Sequence, residues 1–199
     1  TNMGNITDDL SLLKIVYTEA KDRNIPVQEI RNSSVIEAVS EAGSVTAPFT
    51  GDIYGKAKEF FREGKTEEAL VLLKQSFGAE SPNPNLNRLL GLVAFKEKEY
   101  ELAARALEKY LESDPENHEL LYHLSIACKK NEDYEKARLA AIRVYNLKPE
   151  NANNLVNLAD IYRLEGNSRE AEYFAKKAME AEPENQNAKK ILELLDEIE

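Results

Sequence analysis

The chain has 199 residues, 42% hydrophobic and 31% charged, and its 36 acids against 26 bases give a net charge of −10. That balance argues against nucleic acid and anionic lipid as partners, because phosphate groups are held by clusters of cations. No run of 18 apolar residues is present, which excludes direct membrane insertion by an apolar helix, and a single cysteine, Cys128, excludes an intramolecular disulfide.

In residues 6–23, Thr7 is placed to cap a helix, and Asp8 and Asp9 complement the partial positive charge of its first turn. Leu10, Leu13, Val16, Tyr17 and Ala20 then follow helical spacing as one apolar stripe. Pro26 opens a second helix carrying Val27, Ile30, Val35, Ile36 and Val39 as far as Gly43, after which periodicity is lost through Pro48. Residues 1–49 are therefore expected to form a helical pair plus linker. This pair either caps the remainder of the chain or acts as an arm, docking on a second copy or folding into the protein's own groove.

Beyond residue 49 the chain repeats. Pro115-Glu116-Asn117 recurs as Pro149-Glu150-Asn151 and Pro183-Glu184-Asn185, 34 residues apart each time. A period of this size signals stacked supersecondary units. There are four units, 50–83, 84–117, 118–151 and 152–185, each expected as two helices of roughly 12–14 residues joined by a short turn. The turns are Glu63-Gly64-Lys65, Glu97-Lys98-Glu99, Asn131-Glu132-Asp133 and Glu165-Gly166-Asn167. Gly64 and Gly166 can end a helix in the left-handed conformation, and the recurring prolines stop the second helix of units two to four. In residues 186–199, Ile191, Leu194, Leu195 and Ile198 share one face while Lys189, Lys190, Glu193, Asp196 and Glu197 face water. This is the pattern of a capping helix, with a neighbour on one side only.

Small residues recur where paired helices must cross: Ala57 with Ala69, Gly91 with Ala103, Ser125 with Ala137, Ala159 with Ala171. Large ones fill adjoining positions, among them Phe60, Leu73, Leu90, Leu107, Leu124, Leu158 and Tyr162, and Tyr100 and Tyr134 begin second helices. This pattern resembles the tetratricopeptide repeat, with its Leu-Gly pair, aromatic, small Ala, large apolar residue and closing Pro. Leu90-Gly91, Ala103, Leu107 and Pro115 carry the likeness in unit two. Leu124, Tyr134, Ala137 and Pro149 carry it in unit three, and Leu158, Tyr162, Ala171, Ala178 and Pro183 in unit four. The tryptophan position departs from the pattern, holding Ile53, Asn87, Leu121 and Leu155, and unit one ends at Ser81-Pro82 out of phase. The expected fold is all-α, a right-handed α-α superhelix of four helix-turn-helix repeats with the N-terminal pair and the capping helix at its ends.

The resemblance implies a concave groove lined by the first helix of each unit, receiving a peptide or a partner's helix. Carried over by position, unit one contributes Tyr54, Lys58, Phe61 and Arg62, and unit two Arg88, Leu92, Phe95 and Lys96. Unit three contributes Glu119, Tyr122, Ile126, Lys129 and Lys130, and unit four Asn153, Val156, Asn157, Asp160 and Arg163. Seven bases and two acids in an acidic protein suit an acidic segment with apolar anchors. The competing explanation is helix-end charge: Arg62, Lys96, Lys129, Lys130 and Arg163 sit in last turns, leaving only Lys58 and Arg88 outside it. At the places where some relatives clamp a C-terminal carboxylate stand Tyr54, Lys58, Leu89, Glu119 and His123, of which only Lys58 is the required type.

His118, His123 and Cys128 are the residues to weigh for a metal. Steps of five residues turn a helix about 140° past a full revolution, so the three point apart. Cys128 is expected as a plain buried thiol and the histidines as surface residues. No nucleophile elbow, phosphate-cradling glycine loop or Cys-His pair is present. The expectation is a non-catalytic interaction adaptor or scaffold without cofactor. It is cytoplasmic, or periplasmic if a targeting segment was removed. A chaperone for secreted or assembly subunits, and a scaffold forming homo-oligomers through its N-terminal arm, stand as alternatives.

Overall fold

The computed structural model describes residues 52–77 and 83–197. The expected helical pair and linker of residues 1–49, and the out-of-phase Ser81-Pro82, lie outside the described residues. Every regular element among those described is an α-helix: α1 Ile53–Arg62, α2 Thr66–Lys74, α3 Pro84–Lys96, α4 Tyr100–Leu111, α5 His118–Lys130, α6 Tyr134–Leu147, α7 Ala152–Leu164, α8 Ser168–Ala181 and α9 Gln186–Asp196.

The recurring asparagine opens each new unit. The side chains of Asn117, Asn151 and Asn185 accept the backbone N–H of Leu120 (3.1 Å), Asn154 (3.0 Å) and Ala188 (3.0 Å), satisfying donors that a helix start leaves unpaired. Asp52 does the same for α1 through Gly55 N–H at 3.0 Å. The preceding helices α4, α6 and α8 stop short of Pro115, Pro149 and Pro183.

Each first helix ends in one construction, used four times. The central turn residue has positive φ: Gly64 (79°), Lys98 (63°), Glu132 (61°) and Gly166 (78°). The following N–H reaches back six residues inclusive, from Lys65 to Phe60 O (2.9 Å), Glu99 to Ala94 O (2.8 Å), Asp133 to Cys128 O (2.9 Å) and Asn167 to Tyr162 O (2.8 Å). With the shorter bond from each central residue, such as Gly166 N–H to Arg163 O at 3.0 Å, this is a Schellman closure.

These closures fold each helix back on its partner, and the small residues set how close the two come. Ala57, Ala69, Ala103, Ala137, Ala159 and Ala171 are fully buried. In unit three the crossing is also polar, since Ser125 Oγ donates to Ala137 O at 2.8 Å. First helices α1, α3, α5 and α7 pack on one another in sequence, whereas second helices reach each other chiefly through the first layer. The first-helix side is therefore the tighter, concave side of the superhelix. At the far end α9 lies against both α7 and α8, burying Ala188, Ile191 and Leu195.

Unit one departs from the expected helix lengths, with 10 residues in α1 and 9 in α2. Ser76 accounts for the early end of α2. Its N–H (3.1 Å) and its hydroxyl (2.8 Å) both go to Leu73 O, which tightens the last turn and leads the chain off the helix axis. Phe77 then packs against the unit-one and unit-two core, under the guanidinium of Arg105 at 5.4 Å.

Candidate functional site on the first-helix face

On α1, Tyr54 and Phe61 are half-buried against the core while Lys58 and Arg62 are exposed. Both rings carry a cation. Lys58 Nζ stands 5.6 Å from the Tyr54 centroid, and Lys96 Nζ, from the next unit, 5.5 Å from that of Phe61. Such contacts hold an ammonium in place without neutralising it. On α3, Arg88 and Lys96 are exposed, and Leu92 and Phe95 half-buried.

The Phe95 ring crosses to α5, meeting His123 edge-on at 5.3 Å, and Tyr122 meets the same imidazole at 6.2 Å. His123 is thus not the plain surface residue its position suggests but part of this aromatic floor. Its Nδ1 lies 2.7 Å from Glu119 O, and because a carbonyl only accepts, Nδ1 carries the proton. Phe95 lies on another helix one unit back, so spacing within α5 gave no hint of the contact. Ile126 is half-buried, and Glu119 and Lys130 are exposed.

At the step from α5 to α7 the face becomes ionic. Lys129 Nζ is 2.8 Å from Asp160 Oδ2 and Arg163 Nη2 is 2.7 Å from Asp160 Oδ1. Burial acts to raise the Asp160 carboxyl, but the hydrogen bonds from Lys129 and Arg163 outweigh it and hold the pKa below its ordinary value. Helix-end charge alone does not describe these two cations, which share a carboxylate across units. Lys58, Arg62, Arg88, Lys96 and Lys130 have no ion-pair partner among the described residues.

Asn153 is exposed and Val156 half-buried, but Asn157 is only 4% exposed. One residue, or about 100°, further round α7 than Val156, it faces α5 instead of solvent. Its Nδ2 donates to Ser125 Oγ at 2.7 Å, so it ties units three and four together from inside and is not a groove-surface residue.

Cys128 is 2% exposed, and its thiol is pushed up to about 12 by burial, reinforced by Glu108 and Asp133. Among the described residues no group of three or more His, Cys, Asp or Glu side chains could hold a metal, and no helix is long and apolar enough to cross a membrane. On the opposite side, Val71, Leu139 and Tyr173 are each about half exposed. They occupy one repeat position, with Arg105 between them, a row visible only once the 34-residue frame is laid over the burial pattern.

The repeated closures, shared caps and first-helix wall define a helix-turn-helix repeat protein. The chain belongs to the tetratricopeptide-repeat family: residues 54–179 match the family model described as Psidin, N-terminal TPR repeats region. No curated protein matches it. Among solved structures it is similar to YrrB, described as a TPR protein with an unusual peptide-binding site, at 20% identity over 68% of this chain and 70% of that one, with a TM-score of 0.63. MamA AMB-1 matches at 21% identity over 83% and 98%, with a TM-score of 0.64. MamA from Desulfovibrio magneticus RS-1 (41-end) matches at 19% over 92% and 99%, with a TM-score of 0.59. At these identities the likeness is one of fold.

Proposed function

We propose that this protein is a non-catalytic adaptor or scaffold whose first-helix face receives an acidic segment with apolar anchors, a peptide or a partner's helix. The observation that carries this reading is the set of five cations without ion-pair partners among the described residues, two of which, Lys58 and Lys96, stand over half-buried rings. Rings provide area and cations provide steering and orientation, a pairing suited to recognition of a charged amphipathic segment. YrrB, with its described peptide-binding site, supports the use of this fold for such a role.

The test is a displayed peptide library sorted against the full chain. Enriched sequences should be acidic and should lose binding to Lys58→Glu with Arg88→Glu. Enrichment indifferent to that double variant would sink the reading. Light scattering over a concentration series separates an adaptor, which keeps one mass, from a self-assembling scaffold, which grows.

A further inference from the structure

We infer that the acidic segment seats on units one to three alone, and that the Lys129–Asp160–Arg163 cluster ends the site at unit four. This rests on the reading of the first-helix face as the binding face, and adds where on that face the partner lies and how long it is.

Two contacts make one floor of the first three units. Lys96 over Phe61 bridges α1 to α3, and Phe95 against His123 bridges α3 to α5. Leu92 is half-buried on the middle helix, so the floor is apolar and ring-lined. Around it stand the five cations that have no ion-pair partner among the described residues, two of them poised over rings. A partner carboxylate can meet Lys58 or Lys96 without displacing any protein acid, while an adjacent apolar side chain covers the ring beneath.

The next step of the wall is different in kind. Lys129 and Arg163 already hold Asp160, with side chains only 15%, 25% and 28% exposed respectively. A ligand carboxylate arriving there would meet a like charge and would have to break formed hydrogen bonds before making its own. Attraction is therefore confined to the first three units. Packed helix axes lie about 10 Å apart, so α1 to α5 spans about 20 Å, a length covered by about six or seven residues of extended chain. The fitting partner is a short linear segment alternating two or three carboxylates with apolar side chains.

The experiment uses the full chain and a capped, dye-labelled peptide of seven residues alternating glutamate with leucine and phenylalanine, with its glutamine counterpart, read by fluorescence anisotropy. The acidic peptide should bind about tenfold tighter than the glutamine one, and more weakly as salt rises. Lys58→Glu with Arg88→Glu should weaken it about tenfold, while Arg163→Gln leaves it within about twofold. If Arg163→Gln instead weakens binding about tenfold as well, unit four takes part, and the confinement to three units is overturned while the face remains the site. Equal binding of the two peptides overturns the acidic preference. If binding ignores every first-helix variant but falls with Leu139→Asp on the outer row, the underlying reading of the face is wrong. Failure of both peptides to bind at millimolar concentration overturns both. Thermal unfolding of each variant confirms that losses are not losses of fold.

Discussion

Gly91 on α3 and Leu107 on α4 approach so closely that a Cβ added at Gly91 would lie 2.6 Å from Leu107 Cδ2 and 2.7 Å from its Cγ. Cγ is anchored near the backbone and cannot swing away as a chain tip would. Alanine would gain about 1 kcal/mol in helix propensity, but overpacking costs about 1–3 kcal/mol. Gly91→Ala should therefore lower stability by up to about 2 kcal/mol, seen as a reduced urea midpoint at constant slope. An unchanged or raised midpoint would show that the helices part without penalty.

Lys98 and Glu132 hold the left-handed conformation that Gly64 and Gly166 hold without strain. A side chain there costs about 1–2 kcal/mol, and glycine gives back about 0.4–1 kcal/mol through a freer unfolded chain. Lys98→Gly and Glu132→Gly should each stabilise by about 0.5–1 kcal/mol. Gly166→Ala should lose a similar amount, although nothing lies within 4 Å of the added Cβ. Chemical denaturation of the three variants gives the signs, and a loss on Lys98→Gly would refute the strain argument.

These two turns mark where the sequence was and was not legible. Proline, asparagine and small residues announce their roles locally, so the 34-residue frame, the all-α fold and the crossing sites could be read without coordinates. Lysine and glutamate carry no conformational signature, so the left-handed turns at Lys98 and Glu132 stayed hidden beside their glycine equivalents. The early end of α2 depends on one serine hydroxyl and was equally invisible. On the candidate face, Val156 and Asn157 are sequence neighbours, and only the packing of α5 against α7 decides that one is accessible and the other buried. A usable signal did exist. Three polar pairs that meet between adjacent units are separated by somewhat less than one repeat, 31 residues for Lys129 with Asp160 and for Thr66 with Glu97, and 32 for Ser125 with Asn157. Pairing complementary residues at that offset would have found the ionic end of the face.

Asn151 caps α7 in the interior of the array, where units on both sides depend on that helix. Asn151→Ala should cost about 0.5–2 kcal/mol, while Asn151→Asp, which keeps the acceptor and adds favourable charge, should cost little. Equal losses for both substitutions, measured by thermal unfolding, would mean that the amide acts in some other way than as a cap.

The lowered pKa of Asp160 makes its ion pairs pH-dependent in a definite direction. The unfolded chain binds that proton more readily than the native one, so the stabilisation is complete above the ordinary value of 3.8 and is lost as pH falls through the lowered native value. Urea midpoints of the parent and Asp160→Asn, compared from about pH 6 to pH 2, should converge at the acid end. A gap between them that stays constant would place the effect of the substitution elsewhere.

Burial and a pKa of about 12 leave the Cys128 thiol protonated and covered at neutral pH. A chromogenic disulfide reagent should react with native protein only as fast as the local structure opens, and at once in denaturant. Immediate stoichiometric reaction of the native chain would contradict the packing described.

The asparagine caps give this chain a modular grammar. Pro-Glu-Asn closes one unit with its first residue and starts the next with its last, so the three joints α4 to α5, α6 to α7 and α8 to α9 are chemically the same. Duplication or excision of a whole 34-residue block joins like to like, whereas an insertion of any other length leaves a helix start uncapped or a proline out of place. Change in length by whole units is thus the edit this architecture tolerates, and each added unit would extend the first-helix wall by one more step.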